Sequence, residues 1–521
     1  MNFCLKSGNP GVPASRTLIL EWIIFVENDP LPTVYDVTSL KGTTVAYLQF
    51  LGAAGTVTGS KHLINTSNDG DGKAGLQVLI DCGMFQGQKE WRLRNWEDPP
   101  VPAREIDAVI LTHAHLDHCG WIPRLKREGF RGAIYATPPT IDLCSVVLPD
   151  SGHLQEEEAR YHNKKGTSKH QPALPLYTLD EAEESLKLFQ PLNFYEIRQL
   201  SSQLSFRLVP AGHILGSAMV EVFLRENGET RKLLFTGDIG RVPLRLEAPG
   251  RVVHAGPEPG EDPQVLVMES TYGNRVHPQE DVRPELATLI TETVQRGGSI
   301  VVPAFAVERT QKLLFVLKEL MEAGRAPRIP VFVDSPMGIR AVEIFMKYAC
   351  DFNPEACALI QKFGSPVHWP GFHFAAKEQE SRAINEVRYP CIIVSSSGMA
   401  TGGRVLHHLM LRLPDPRNQV IFIGFQAPGT RGAIIKSGAQ SVRIFSQEVP
   451  IRAQVAALEQ FSDHADTQEL LRWLRTFTKT PETTFLVHGE DQAASSLRES
   501  LRSNLAWNVK IAQWLEKVPL D

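Results

Sequence analysis

The chain has 521 residues, 42% of them hydrophobic and 22% charged, with a net charge of −5. This is the composition of a globular protein and excludes a collagen, a disordered tail and a disulfide mini-protein. The mild acidity excludes attachment to nucleic acid by overall charge alone, while leaving room for a local basic groove.

At about 100–200 residues per domain, the length suits two to four domains, or one domain interrupted by another. Residues 1–43 are poor in pattern and rich in turn residues, and are taken as an N-terminal extension. Its most apolar stretch, TLILEWIIFV (Thr17 to Val26), is interrupted by Glu21 and followed by no small-x-small cleavage site, so a secretory signal is not expected. No apolar run reaches the roughly 18 residues needed to span a bilayer. The seven cysteines (Cys4, Cys82, Cys119, Cys144, Cys350, Cys357 and Cys391) are odd in number and include no C-x-x-C pair. They read as reduced core thiols of a cytoplasmic protein.

A first strand begins near Thr44, in TVAYLQFLGAAG. LQVLIDCG, IDAVILTH, LSFRLVPAG, AMVEVFLRE, KLLFTGDIG and QVLVMES read as further strands by their length and β-branched content. Several are apolar almost throughout, which predicts burial on both faces. Leu154 to His162 and Leu176 to Leu188 read as surface helices. After Glu269 the rhythm becomes strand then helix. SIVVPAF precedes a helix from about Glu308, PVFVDSP one from about Met337, and CIIVSSSG one from about Gly403; VIFIGFQ follows. This is the pattern of βαβ units and a parallel sheet. It changes again near Pro450.

The strongest chemical signal is LTHAHLDHCGWIPRL, with His113, His115, Asp117 and His118 directly after a buried strand. Imidazole nitrogen and carboxylate oxygen are ligands that zinc takes at about 2.0–2.2 Å. Four such groups crowded at a strand end would be costly to desolvate without a cation. His213 closes a second strand and Asp238 a third. Alone, each reads as a satisfied polar or turn residue. Beside the first motif, each becomes a candidate ligand, because a pair of metals about 3.5–4 Å apart needs extra ligands and a bridging carboxylate.

Together with FLGAAGTVTGS (Phe50 to Ser60) and LIDCGMFQG (Leu79 to Gly87), the H-x-H-x-D-H pattern resembles the metallo-β-lactamase fold. The resemblance implies an α/β protein, an αββα sandwich, with two Zn(2+) ions. The first would be held by His113, His115 and His213, the second by Asp117 and His118, with Asp238 bridging. Downstream, VMESTYGNRVH with Glu269, FSDHAD with His464 and FLVHGED with His488 resemble the three extra motifs of the β-CASP group, the nucleic-acid-processing branch of that fold. SDHAD and VHGE resemble the nuclease subunit of the cleavage and polyadenylation specificity factor and its bacterial counterparts. The resemblance covers about residues 44–521 and adds His488 as a seventh metal ligand. It implies a metal-site domain in two parts, 44–273 and 456–521, interrupted by a β-CASP domain, 274–455, built on a mainly parallel sheet.

On this reading the catalytic groups are Asp117, Asp238, Glu269 and His464. A zinc pair acidifies water and pulls on the phosphodiester. His464 then protonates the leaving ribose oxygen, and Glu269 favours its charged imidazolium. Ser396, Ser397 and Gly398, in SSSGMATGGR, are small enough to let backbone N–H groups approach a phosphate, although a plain turn fits them equally. Arg309 and Lys312, at a helix start, are candidates to meet the RNA backbone. Cys350 and Cys357 read as packing, and His407 and His408 as helix surface. The expected protein is a zinc-dependent ribonuclease cutting single-stranded RNA internally or from the 5′ end, in a cleft between two domains. Two other readings are a catalytically silent RNA-binding scaffold and a zinc hydrolase for a small thioester or lactam. The complete ligand set opposes the first; the insert and the trio Glu269, His464 and His488 oppose the second. His488, where DNA-processing members resemble Val, implies RNA. Nothing in the sequence indicates the oligomeric state.

Overall fold

The computed structural model describes residues 45–67, 75–166, 171–226, 228–241, 262–348, 369–424, 426–427 and 429–520. The extension 1–43, with Cys4, and the pair Cys350 and Cys357 lie outside the described residues. Cys82, Cys119, Cys144 and Cys391 are buried free thiols. Among the described residues no helix is long and apolar enough to cross a membrane.

Two seven-stranded sheets and one six-stranded sheet dominate. In spatial order, the first contains Lys517–Pro519, Tyr47–Phe50, His62–Asn65, Gln77–Ile80, Ala108–Ile110, Ala133–Ala136 and Phe189–Pro191. The second contains Val509–Ile511, Thr483–Val487, Val265–Glu269, Glu229–Phe235, Ala218–Glu226, Leu204–Pro210 and Arg198–Gln199. These two sheets face one another. Leu48, Phe50, Ile64 and Ile110 of the first share a core with Phe206, Val220, Phe235, Val267 and Phe485 of the second. The outer face of the first sheet packs on Leu125, Leu143, Cys144 and Leu148, from helices Ile122–Arg127 and Pro138–Lys165. The outer face of the second packs on Leu470, Trp473, Leu497 and Leu501, from helices Thr467–Leu474 and Asp491–Leu505. The layers are therefore helix, sheet, sheet, helix. Burial on both sides accounts for the nearly continuous apolar strands.

The third sheet runs Phe372–Phe374, Val331–Asp334, Ile392–Ser395, Ile300–Pro303, Gln419–Phe422 and Gln454–Ala457, parallel at every pairing. Helices cover both its faces. Two of them, Arg309–Glu322 and Pro336–Lys347, also contribute Phe315, Ala341 and Phe345 to the core beneath the first sheet. The unit is thereby packed onto the sandwich.

The surface helix expected over Leu154 to His162 is helical and largely exposed, and it is the end of a longer helix, Pro138–Lys165. Its first half is buried and contains Pro149, so it lacks the alternation that marks a surface helix. Thr137 caps it by accepting from the Thr140 N–H, and Pro138 and Pro139 stand where a missing N–H costs nothing.

Candidate metal centre

The chemistry-bearing side chains gather where strands end. His113 follows Ala108–Ile110, His213 follows Leu204–Pro210 and Asp238 follows Glu229–Phe235. Glu269 closes its own strand, and His488 directly follows Thr483–Val487. Those last two strands are parallel neighbours with Glu269 opposite Val487, which puts Glu269 and His488 side by side. His115 sits at the N-terminal end of the short helix Leu116–Cys119, which carries Asp117 and His118.

Two sets of candidate ligand atoms with no shared member result, each lying within 4.8 Å of one another: His113, His115, His213 and Asp238; and Asp117, His118 and His488; a third group, Asp238, Glu269 and His488, overlaps both. In the first set, His115 Nδ1 is 3.1 Å from His113 Nε2 and 3.2 Å from His213 Nε2. Asp238 Oδ2 is 3.5 Å from His113 Nε2 and 3.4 Å from His213 Nε2. In the second, His118 Nε2 is 3.3 Å from His488 Nε2, which is 3.5 Å from Asp117 Oδ2. Asp238 Oδ1 reaches the second set at His118 Nε2, 3.3 Å away; its 3.4 Å approach to His488 is to Nδ1, the ring nitrogen not turned toward Asp117 and His118. A tetrahedron of ligands around bonds of about 2.0–2.1 Å has edges of about 3.3 Å. The observed spacings match that edge.

The surroundings fit a cation as well. Asp238 Oδ1 is buried without a hydrogen-bond partner, a costly arrangement for a carboxylate that holds nothing. Burial pushes the pKa values of His113, His115 and His213 down, which keeps them in the neutral form that ligates. For Asp117, burial favours the neutral acid, but His488, His118 and His115 outweigh it and bring the pKa to about 2. Burial likewise opposes charge on His118, yet Asp238 and Asp81 raise its pKa well above the usual value. The same carboxylates favour a cation at this ring, and a metal taken by His118 Nε2 would displace the proton they favour. His115 and Asp117 are half-buried while the other ligands are buried, so the centre is most accessible on their side.

Supporting contacts orient the rings. Asp81 accepts from His118 Nδ1 at 2.7 Å, leaving Nε2 for a metal. Thr112 donates to Asp81 at 2.9 Å and stands 3.0 Å from His113 Nδ1. The Asp463 carbonyl accepts from His213 Nδ1 at 3.3 Å. None of these three residues was given a role from sequence. Asp81 had a legible signal, a carboxylate directly after the strand in LIDCG, whereas Asp463 had none beyond its place in FSDHAD. Such partners fix ring orientation, and their loss typically costs about 10–100-fold in metal affinity. Asp81→Ala is therefore expected to weaken metal retention by about that factor. Dialysis against graded chelator with elemental analysis checks it; retention equal to the unaltered protein would count against the contact.

His464 stands beside the ligands without belonging to either set. Its Nδ1 donates to Glu269 Oε2 at 3.0 Å, and its Nε2 lies 3.9 Å from Asp238 Oδ2. Burial disfavours its charge, but Glu269 and Asp238 overcome this and raise the pKa to about 9. A metal held by Asp238 would absorb that carboxylate's influence, leaving Glu269 as the partner that favours the imidazolium. His277 Nε2 donates to the His464 carbonyl at 3.0 Å, a further contact not foreseen from sequence.

The candidate substrate residues divide. Ser396, Ser397 and Gly398 follow the strand Ile392–Ser395; Ser396 Oγ pairs with Ser335 Oγ at 2.9 Å and Ser397 Oγ with Thr401 at 3.0 Å. Gly398 is pressed on Phe305, where an added Cβ would come within 2.6 Å of the ring. Arg309 and Lys312 do not stand at an open surface: both are buried and turned inward onto Asp463. His408, expected on the helix surface, is buried with Nε2 2.7 Å from Asp334 Oδ2, because the helix Val405–Arg412 packs that face on the sheet. His407 is exposed.

Comparison with known proteins agrees with this geometry. Residues 73–137 match the metallo-beta-lactamase superfamily model, 310–435 the Beta-Casp domain, and 448–512 the Zn-dependent metallo-hydrolase RNA specificity domain. The chain is 36% identical over 472 residues to Ribonuclease TTHA0252 of Thermus thermophilus, covering 90% of this chain and 99% of that protein. It is 34% identical over 421 residues to an RNase J-like protein of Methanocaldococcus jannaschii, covering 80% and 87%. It is 32% identical over 464 residues to the transcription termination factor FttA of the same organism, covering 87% and 68%.

Proposed function

Because this chain belongs to the Beta-Casp branch of the metallo-beta-lactamase superfamily, we propose that it holds two zinc ions and cuts single-stranded RNA, internally or from the 5′ end, in a cleft between two domains. The coarser activity is that of a metal-dependent ribonuclease. In this reading residues 44–273 with 456–521 form the catalytic domain and 274–455 the insert. The observation that carries it is the pair of ligand sets joined by the two oxygens of Asp238.

His113, His115 and His213 would hold one metal, Asp117, His118 and His488 the other, with Asp238 shared. When bound, such a pair supplies Lewis acidity toward phosphate oxygens and makes water acidic enough to attack. The chain's own residues do the rest. Glu269 holds the proton on His464 Nδ1 and so fixes which ring edge faces Asp238. His464 Nε2 is then placed to give a proton to the departing ribose oxygen. His277 holds the His464 backbone from the other side. The loop Ser396 to Gly398 offers small residues and backbone N–H groups to a phosphate.

The test is elemental analysis of purified protein together with matched, end-labelled RNA and DNA strands at identical salt and zinc. Two zinc ions per chain and faster cutting of RNA are expected. His488 completes a ligand set without reading the 2′-OH, so discrimination must come from the cleft and is expected to be incomplete. Equal or faster cutting of DNA would overturn the substrate assignment. Iron in place of zinc would overturn the metal.

A further inference from the structure

A buried ionic cluster lies between the helix Arg309–Glu322 and the loop that carries His464. Arg309 Nε donates to Asp463 Oδ2 at 3.0 Å, and its Nη1 donates to the Ile423 carbonyl at 3.3 Å. Lys312 Nζ donates to Asp463 Oδ1 and lies 3.4 Å from Glu308 Oε1. The side chains of Asp463, Arg309 and Lys312 are only 1%, 7% and 9% exposed, too little for a solvated surface pair. Glu308 is fully buried and sits at φ 71°, ψ −62°, the centre of a γ-turn closed by the Arg309 N–H on the Val307 carbonyl, a conformation that costs a non-glycine residue energy. The fold keeps this strain in the residue that precedes Arg309 and leans on Lys312.

The cluster bears on the metal centre through one peptide unit. The carbonyl of that unit belongs to Asp463 and accepts from His213 Nδ1; its other end is the backbone of His464. The next carbonyl, of His464, is held by His277. Turning the Asp463 side chain out of its clamp would therefore move both the support of His213 and the ring of His464. Arg309 reaches the opposite way too. Its guanidinium lies 5.2 Å from the centre of the Phe305 ring, the ring on which Gly398 is pressed.

We propose that Arg309 and Lys312 are positioning residues: they clamp the Asp463 carboxylate so that His464 and the carbonyl behind His213 stand in working register, and they do not touch RNA. The proposal rests on the reading of His464 as the proton donor. It replaces the phosphate-binding role expected of the two cations with one in which their charge is spent internally. Both signs are balanced within the cluster, two carboxylates against two cations, so no net charge is left to attract a phosphate. An error of about 1 Å in the placement of a reacting group can cost on the order of 100-fold in rate. Arginine suits the site because its planar fork meets a carboxylate and a carbonyl at once, which a lysine cannot do.

The test uses the full-length, metal-loaded protein carrying Arg309→Met, Lys312→Met or Arg309→Lys. The measurements are single-turnover cleavage at saturating RNA, RNA affinity determined in the His464→Ala background, metal content and thermal melting. With metal kept saturating, Arg309→Met is expected to lose about 100-fold in saturating rate with RNA affinity unchanged, and to release metal more readily to a chelator through the loosened support of His213. Arg309→Lys should recover part of the loss. In the His464→Ala background, Arg309→Met should cost little more, since the group it positions is already gone. Weakened RNA affinity at an unchanged saturating rate would overturn the proposal in favour of a phosphate contact. A loss of full size in the His464→Ala background would overturn it as well. Should Arg309→Met melt below the assay temperature, Lys312→Met and Arg309→Lys carry the same comparison. Failure of the unaltered protein to cut RNA would instead strike the proposed function, so the two failures are distinguishable.

Discussion

His464→Ala is expected to slow RNA cleavage by about 10²–10⁴-fold, the usual worth of a positioned general acid, while leaving metal content and RNA affinity intact. The separation follows from where the ring stands. It belongs to neither ligand set, and its Nε2 stands 3.9 Å from Asp238 Oδ2. Its one strong side-chain partner is Glu269, through Nδ1. A donor whose hydrogen bond matters only as the leaving oxygen gains charge contributes to the transition state and hardly to the ground state. The measurement is single-turnover cleavage beside elemental analysis and an RNA-binding titration. Turnover at the unaltered rate would remove His464 from the chemistry. Loss of metal would make the residue a ligand instead. Glu269→Gln should follow in the same direction with a smaller loss, because the ring keeps a partner but loses the charge that favours its protonated form.

Asp238→Ala is expected to have the larger effect, abolishing cleavage together with metal binding. Its two oxygens face different ligand sets: Oδ2 approaches His113 and His213, while Oδ1 approaches His118 and His488. Removing the side chain takes a ligand from the first set, the carboxylate beside His118 Nε2 of the second, and the negative charge that would offset bound cations. It also leaves four imidazole rings crowded around a cavity, so binding of the remaining ligands must weaken in both sets at once. Because bound metal stabilises the folded form in proportion to its affinity, the melting temperature should stop responding to added metal. Elemental analysis and melting with and without chelator read this directly. Retention of a full metal complement by Asp238→Ala would show that the carboxylate does not join the two sets.

The sequence by itself determined which residue types stand at the strand ends. A buried strand followed by His, Asp or Glu is a local pattern: it marks the cluster at His113 outright, gives His213 and Asp238 meaning only beside that cluster, and needs the family resemblance to single out Glu269 and His488. The strand-then-helix rhythm after Glu269 is equally local, because short βα connections make a parallel sheet of consecutive units. What the one-dimensional pattern did not carry is pairing across distance. Arg309 and Lys312 look like surface cations because they occupy a helix start, and the one acid beside them in the chain, Glu308, leaves a positive charge over. Their partner Asp463 lies 154 and 151 residues away and is brought in only when the two segments pack. His408 looks like a surface residue for the same reason, until Asp334, 74 residues distant, meets its ring inside the sheet unit. Asp81 and Thr112 acquire their function only where neighbouring strands align them behind His118 and His113. Local chemistry is legible because the backbone places neighbours together at every conformation the element can take. The fate of a charge is decided by burial, and burial is a property of the packed molecule: a group taken out of water must find a partner wherever the fold supplies one.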